Sequence, residues 1–279
     1  MNLLGHEIGD YELLLLLGQG SSADVYLGRH KYNRSYVAVK ILNPQVLHER
    51  IHVWNNEDHM LSLVSHPHII HVSESGIQGN IYFRIVNWAA RGTLHDLFAL
   101  STPIHKVATY IEQVASALQY LHTKHIVHRD IKPTNILLDP RGHIWLADLE
   151  LAVDYRGCES TAGTAMYAPL EQKRGRPCPA SDQYALAVVT YQWLCGDLPF
   201  HGSVDDVIDQ QEQNVYLSLR DKSPTLSRAV EEVVQIALAK DPGSRFASVH
   251  AFAEALQDAC NFSSYWTPPH RASLNYTDQ

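Results

Sequence analysis

The chain has 279 residues, 45% apolar and 19% charged, so it can bury a sizeable core and lacks the composition of a disordered segment. Its formal net charge of −8 argues against a nucleic-acid partner, which needs clustered Lys and Arg, yet leaves room for a nucleotide site built from a few cations. The cysteines Cys158, Cys178, Cys195 and Cys260 are scattered and form no C-x-x-C pair, which argues against a disulfide framework or zinc site and reads as reduced thiols in a cytoplasm.

In chain order, Met1 to Asp10 mixes polar and acidic residues without a basic n-region, so no signal peptide is read there. Tyr11–Leu17, Asp24–Arg29 and Tyr36–Leu42 carry strand composition. Val53, Glu57, Met60, Leu61 and Val64 recur at helical steps, giving an apolar face with a single acid. Ile81–Val86 reads as a further strand and Ala89–Gly92 as a linker. The texture then turns helical: Lys106–His122 places Val107, Tyr110, Ile111, Val114, Leu118 and Leu121 on one stripe. Ser181–Cys195 is apolar nearly all round, as a buried helix is, and Ser227–Ala239 and Ser248–Ala259 show helical periodicity again. The longest apolar runs, Leu13–Leu17 and Ala185–Leu194, are too short to span a bilayer. Seventeen histidines invite a metal reading, but the densest group (His66, His68, His71) flanks Pro67 in a loop, and scattered loop and surface histidines are the simpler reading.

Gly18-Gln19-Gly20-Ser21-Ser22-Ala23 lies between two predicted strands. Small residues there let the backbone approach phosphate oxygens without interference from Cβ. A dinucleotide fold would need a helix directly after the loop, and Asp24–Leu27 reads as strand instead. Lys40 closes Val37-Ala38-Val39-Lys40; with Glu57 as the lone acid on the next helix face, a Lys–Glu pair could hold an ammonium against phosphates.

His128-Arg129-Asp130-Ile131-Lys132-Pro133-Thr134-Asn135, followed after a short strand by Asp148, is the most specific stretch. Here the sequence resembles the protein kinase superfamily, over about Tyr11 to Leu256, and in loop lengths is similar to bacterial eukaryotic-like Ser/Thr kinases. The resemblance implies an α+β, bilobal protein-kinase fold within residues 1–260: a β-rich N-lobe with one regulatory helix (about 11–86), a hinge (about 87–92) and a mainly α-helical C-lobe (about 93–260), with 261–279 as an irregular tail. It implies Asp130 as the carboxylate that orients the substrate hydroxyl and accepts its proton, Lys132 as the lysine that neutralises the γ-phosphate, and Lys40–Glu57 as the phosphate-holding pair. Asn135 and Asp148 are implied as ligands for Mg²⁺, with Mn²⁺ as the alternative. Gly18, Gly20 and Ser21 would lie over the phosphates; Val25, Ala38 and Leu137 would sandwich adenine; Val86 would be the gatekeeper, and Asn87 and Ala89 would offer hinge carbonyl and N–H groups. Thr164 would close the peptide end of the site, and Ser160 and Thr161 lie where activating phosphates sit, read through Arg129. Glu171 with Arg245 and Asp182 with the catalytic loop are implied structural braces. The implied partners are ATP and Ser/Thr-containing proteins, with transient homodimers for activation in trans, no nucleic acid, no membrane segment and a cytoplasmic location.

The resemblance is imperfect. Asp148-Leu149-Glu150 replaces Asp-Phe-Gly, which removes a permissive glycine and adds a carboxylate near the phosphate site. A Glu150 side chain turned to solvent is the plain expectation; altered metal preference or a slowed activation segment is the sharper one. Ala168-Pro169-Leu170-Glu171 carries one residue more than Ala-Pro-Glu. Two other functions stay open: a pseudokinase scaffold, disfavoured because Lys40, Asp130, Asn135 and Asp148 are all present, and a small-molecule kinase, disfavoured by Lys132 and Thr164.

Overall fold

The computed structural model describes residues 3–20, 22–98 and 102–261. Ser21 of the glycine-rich loop and the tail after Asn261 therefore lie outside the described residues. In chain order the elements are β1 (Glu7–Ile8), β2 (Tyr11–Gln19), β3 (Ala23–His30), β4 (Tyr36–Leu42), α1 (Leu47–Ser62), β5 (Val72–Gln78) and β6 (Ile81–Asn87). They continue with α2 (Leu94–Leu97), α3 (Ile104–Thr123), β7 (Ile126–Val127), β8 (Ile136–Leu138), β9 (Ile144–Leu146), β10 (Val153–Asp154) and α4 (Leu170–Lys173). The last are α5 (Pro179–Cys195), α6 (Val204–Gln213), α7 (Leu219–Lys222), α8 (Arg228–Ala237) and α9 (Val249–Asn261). The class is α+β: strands gather early in the chain and helices late.

Among the described residues two compact units form: one from those up to Thr93 with Leu137–Ala152, the other from those between Leu94 and Ile136 with Val153 to Asn261. In the first unit an antiparallel sheet runs in the order β1-β2-β3-β4-β6-β5. Because side chains alternate across a strand, β4 serves two faces. Val39 and Ile41 join Leu13, Tyr26, Phe83 and Ile85 in an apolar cluster on one face. Ala38, Lys40 and Leu42 occupy the other, where Leu42 and Ala23 pack on Trp54 of α1. The helix starts earlier than its apolar periodicity predicts, at Leu47 rather than Val53. Strand β5, Val-Ser-Glu-Ser-Gly-Ile-Gln, is an edge strand with mostly exposed residues, so it carries no apolar alternation for sequence reading to find.

In the second unit α3 buries its predicted stripe, Val107, Tyr110, Ile111, Val114, Leu118 and Leu121, and packs on α5 and α9. Helix α5 is buried on all sides and ends at Gly196, whose φ of 78° is the left-handed geometry that glycine supplies at helix ends. Ser227 precedes α8 rather than opening it, accepting a hydrogen bond from the Val230 N–H as an N-cap. Among the described residues no helix is long and apolar enough to cross a membrane.

Candidate functional site

In the first unit the chemistry centres on Lys40. Cross-strand pairing places Lys40 of β4 between Val25 of β3 and Arg84 of β6. Its Nζ lies 2.9 Å from Glu150 Oε1, 3.1 Å from Glu57 Oε2 and 3.4 Å from Asp148 Oδ1. Burial pulls the ammonium toward neutrality, but Glu57, Asp148 and Glu150 outweigh it and hold Lys40 above the ordinary lysine value. Burial likewise pushes the Glu57 carboxyl up, and Lys40 with Arg84 outweighs this and holds it below the usual carboxylate range. The carboxylates of Glu57, Asp148 and Glu150 each present an oxygen within 4.8 Å of the others. Lys40 bonds all three, so the predicted Lys–Glu pair exists as part of a larger cluster.

Glu150 corrects an expectation. Its side chain is only 13% exposed and faces Lys40 rather than solvent. The backbone aims it there: Asp148 takes a left-handed conformation (φ 68°, ψ 68°), and Leu149–Leu151 follows as a 3-10 turn. Asn56 of α1 then donates its side-chain amide to the Glu150 and Ala152 carbonyls, each at 3.1 Å, which fixes the turn. Left-handed geometry at a non-glycine residue is strained and persists where the surroundings over-determine it. Sequence reading missed both Asn56 and Arg84; for Arg84 the available signal was a lone charge in an apolar strand.

The predicted nucleotide residues of this unit take strand or near-strand positions. Gly18 pairs with Val25 across β2 and β3, and Gly20 donates its N–H to the Ala23 carbonyl at 2.9 Å. Ala38 is buried and pairs with Val86 of β6, while Asn87 pairs with Val37 and closes that strand. Ala89 accepts the Gly92 N–H at 3.0 Å in the turn that follows, and Leu137 of β8 bridges to Thr93.

In the second unit the centre is Asp130. Oδ1 accepts the Thr164 hydroxyl at 2.5 Å and its backbone N–H at 3.1 Å. Oδ2 accepts Lys132 Nζ at 2.6 Å and Asn135 Nδ2 at 3.1 Å. Burial pushes the carboxyl up, and the hydrogen bonds from Lys132 and Thr164 overcome this, holding Asp130 below the usual range and ionised at neutral pH. Lys132 also reaches the Thr164 hydroxyl at 3.2 Å. Asn135 spends its amide nitrogen on Asp130, which leaves the amide oxygen as the donor it can offer a cation.

Two braces hold this loop, and a third ties α4 to the segment before α9. Asp182, fully buried at the start of α5, accepts the backbone N–H groups of His128 and Arg129 and bonds His122 at 2.8 Å. Gln172, also missed from sequence, donates to the carbonyls of Arg129 and Ala162 at 2.7 and 2.8 Å. It fills the space where a Cβ at position 163 would sit, and such a Cβ would also lie 2.7 Å from the Arg129 carbonyl, so glycine is required there. The third is bidentate: Arg245 meets Glu171 at 2.7 and 3.2 Å, so the extra residue in Ala168-Pro169-Leu170-Glu171 leaves the ion pair intact, with Leu170 opening α4. Ser160 is half-buried and Thr161 exposed, and Arg129 directs a guanidinium nitrogen to Cys158 Sγ at 4.0 Å.

Among known proteins, the chain is 32% identical over 256 residues to the serine/threonine-protein kinase PrkC of Bacillus subtilis, covering 88% of this chain and 40% of that one. It is 32% identical over 280 residues to Pkn1 of Myxococcus xanthus (92% and 39%), and 34% identical over 210 residues to cAMP-dependent protein kinase type 3 of Saccharomyces cerevisiae (71% and 51%). It thus spans about two fifths of the length of the two bacterial relatives. Residues 11–258, nearly the whole chain, match the protein kinase domain, and this chain, with its Lys40–Glu57 pair and braced His-Arg-Asp loop, belongs to the protein kinase family.

Proposed function

We propose that this chain transfers the γ-phosphoryl group of ATP to Ser or Thr hydroxyls of protein substrates, its kinase domain occupying about residues 1–260. The observation that carries the reading is the carboxylate of Asp130, held on both oxygens by Lys132, Asn135 and Thr164. Phosphoryl transfer asks little covalent chemistry of a protein; it asks for positioning and charge stabilisation. Asp130 orients the hydroxyl and takes its proton. Lys132, already on Asp130, carries a positive charge to the γ-phosphoryl oxygens, and Thr164 supports an acceptor segment beside it. Lys40 holds the α- and β-phosphates and is steadied by Glu57. Val25, Ala38 and Leu137 enclose adenine, Asn87 and Ala89 bond its edge, and Gly18 and Gly20 lie over the phosphates.

Asn135 and Asp148 would hold the divalent cation of the family; their hard oxygens suit Mg²⁺, with Mn²⁺ as the alternative. Bound there, such a cation neutralises charge on phosphate oxygens. Ser160 and Thr161 are proposed acceptors of activating phosphates, read by Arg129. One observation favours a second reading, a scaffold with weak transfer: Glu150 occupies Lys40 at 2.9 Å. Incubation with labelled ATP and Mg²⁺ or Mn²⁺, beside an Asp130→Asn control, decides between them. Label on Ser or Thr in the wild type, reduced about a thousandfold in the control, supports transfer. ATP binding without transfer under either metal supports the scaffold.

A further inference from the structure

Strand β6 is apolar over Ile81–Val86 except for Arg84, whose side chain is 1% exposed. A guanidinium cannot be deprotonated and persists in a core only when its charge and its N–H groups are matched. Arg84 spends its whole fork on α1. Nη1 bonds Glu57 Oε2, Nε bonds Asp58 Oδ1 at 2.6 Å, and Nη2 bonds the Trp54 carbonyl at 2.9 Å. Its Cζ also lies 3.9 Å from the centre of the Trp54 ring, within cation–π range. Positions 54, 57 and 58 stand at i, i+3 and i+4 of one helix and so share a face. A planar five-donor fork engaged at three points of that face specifies both the distance of α1 from the sheet and its rotation about its own axis.

Lys40 stands directly opposite Arg84 on the neighbouring strand, and the two cations share one oxygen, Glu57 Oε2. Lys40 alone carries the further anions Asp148 and Glu150. With Lys40 as its single cation, Glu57 would be left as an uncompensated buried charge whenever the ammonium moved toward a phosphate.

We propose that Arg84 is a positioning residue for nucleotide binding: it holds Glu57 and α1 in place independently of Lys40, so that Lys40 can turn from its carboxylates to a phosphate without releasing the helix. The proposal rests on the reading of Lys40 as the phosphate-binding lysine. A guanidinium that served only the core would stabilise the fold without coupling to ATP through Glu57.

The test measures ATP·Mg²⁺ affinity by calorimetry, ATP KM and kcat on casein as a general acceptor, and thermal midpoint. The variants are Arg84→Met, Glu57→Gln, the double variant and Asp58→Asn. Arg84→Met should weaken ATP binding and raise its KM about tenfold with a smaller change in kcat, and the double variant should be no worse than Glu57→Gln alone. Asp58→Asn removes one charge of the clamp at a one-third-exposed position while keeping an acceptor for Nε, so it should fold and raise KM about two- to threefold, even where Arg84→Met proves unfolded. An unchanged KM in Arg84→Met or Asp58→Asn, or effects of Arg84→Met and Glu57→Gln that multiply in the double variant, overturns the proposal. Absence of ATP binding in the wild type refutes instead the underlying reading of Lys40, and the two failures are distinct.

Discussion

Replacing Glu150 by Gln keeps the size and backbone of the side chain and removes its charge from Lys40. The two groups lie 2.9 Å apart, Glu150 is 13% exposed, and Lys40 retains Glu57 at 3.1 Å and Asp148 at 3.4 Å. Opposite unit charges about 4 Å apart attract by about 4 kcal/mol at an effective dielectric of about 20. Most of this is offset by desolvation and by the lost freedom of two side chains, and a hydrogen bond between charged groups nets about 1.5–3 kcal/mol. A phosphate arriving at Lys40 must displace that bond or accept the repulsion of the remaining carboxylate. Two carboxylates stay behind to hold the ammonium, so the gain lies at the low end. Glu150→Gln should therefore tighten ATP by about 1–2 kcal/mol, a five- to thirtyfold fall in ATP KM. Glu150→Gly should do the same and also free the backbone of the 3-10 turn. The assay is initial-rate kinetics with ATP varied, in Mg²⁺ and separately in Mn²⁺, with calorimetric ATP binding as the check. Unchanged KM and unchanged metal dependence in both variants would show that the Lys40–Glu150 pair does not compete with nucleotide, and the reasoning would fail.

Two predictions concern stability. Arg245→Met leaves Glu171 without its bidentate partner in a buried setting and should cost about 3–5 kcal/mol, read as a fall of several degrees in thermal midpoint; an unchanged midpoint contradicts the brace. For Asp182, burial pushes the carboxyl up, but the His122 hydrogen bond, with support from His128, holds it below the ordinary 3.8. A carboxyl depressed by folding contributes stability above its unfolded value and loses it as pH falls through the folded one. Asp182→Asn should therefore be less stable than the wild type at neutral pH, with a gap in urea midpoint that narrows below about pH 3.8. A gap that widens with acidification would reverse the assigned sign.

Local chemistry was legible where covalent spacing sets it. Asp130, Lys132 and Asn135 lie within one short loop, and the structure brings their polar atoms to one carboxylate. Glu57 stood out as the lone acid on an apolar helix face, and it meets Lys40. The buried stripes of α3 and α5 were legible for the same reason, since helical period and burial coincide there. Strand β5 and helix α6 were not: one is a polar edge, and the other buries only Val207 and Gln211.

Residue order alone carried the family, the His-Arg-Asp loop and the helical stripes, because each depends on a few turns or a few residues. What surrounds Lys40 came from packing between distant segments. The inward turn of Glu150 depends on a left-handed Asp148 and on Asn56 reaching from α1 to two carbonyls. The role of Arg84 depends on a strand register that sets it opposite Lys40 and on the rotation of α1 that presents Trp54, Glu57 and Asp58 together. Strand register and helix rotation are chosen by packing across the whole sheet, so no local pattern in residues 81–87 or 148–152 could announce them.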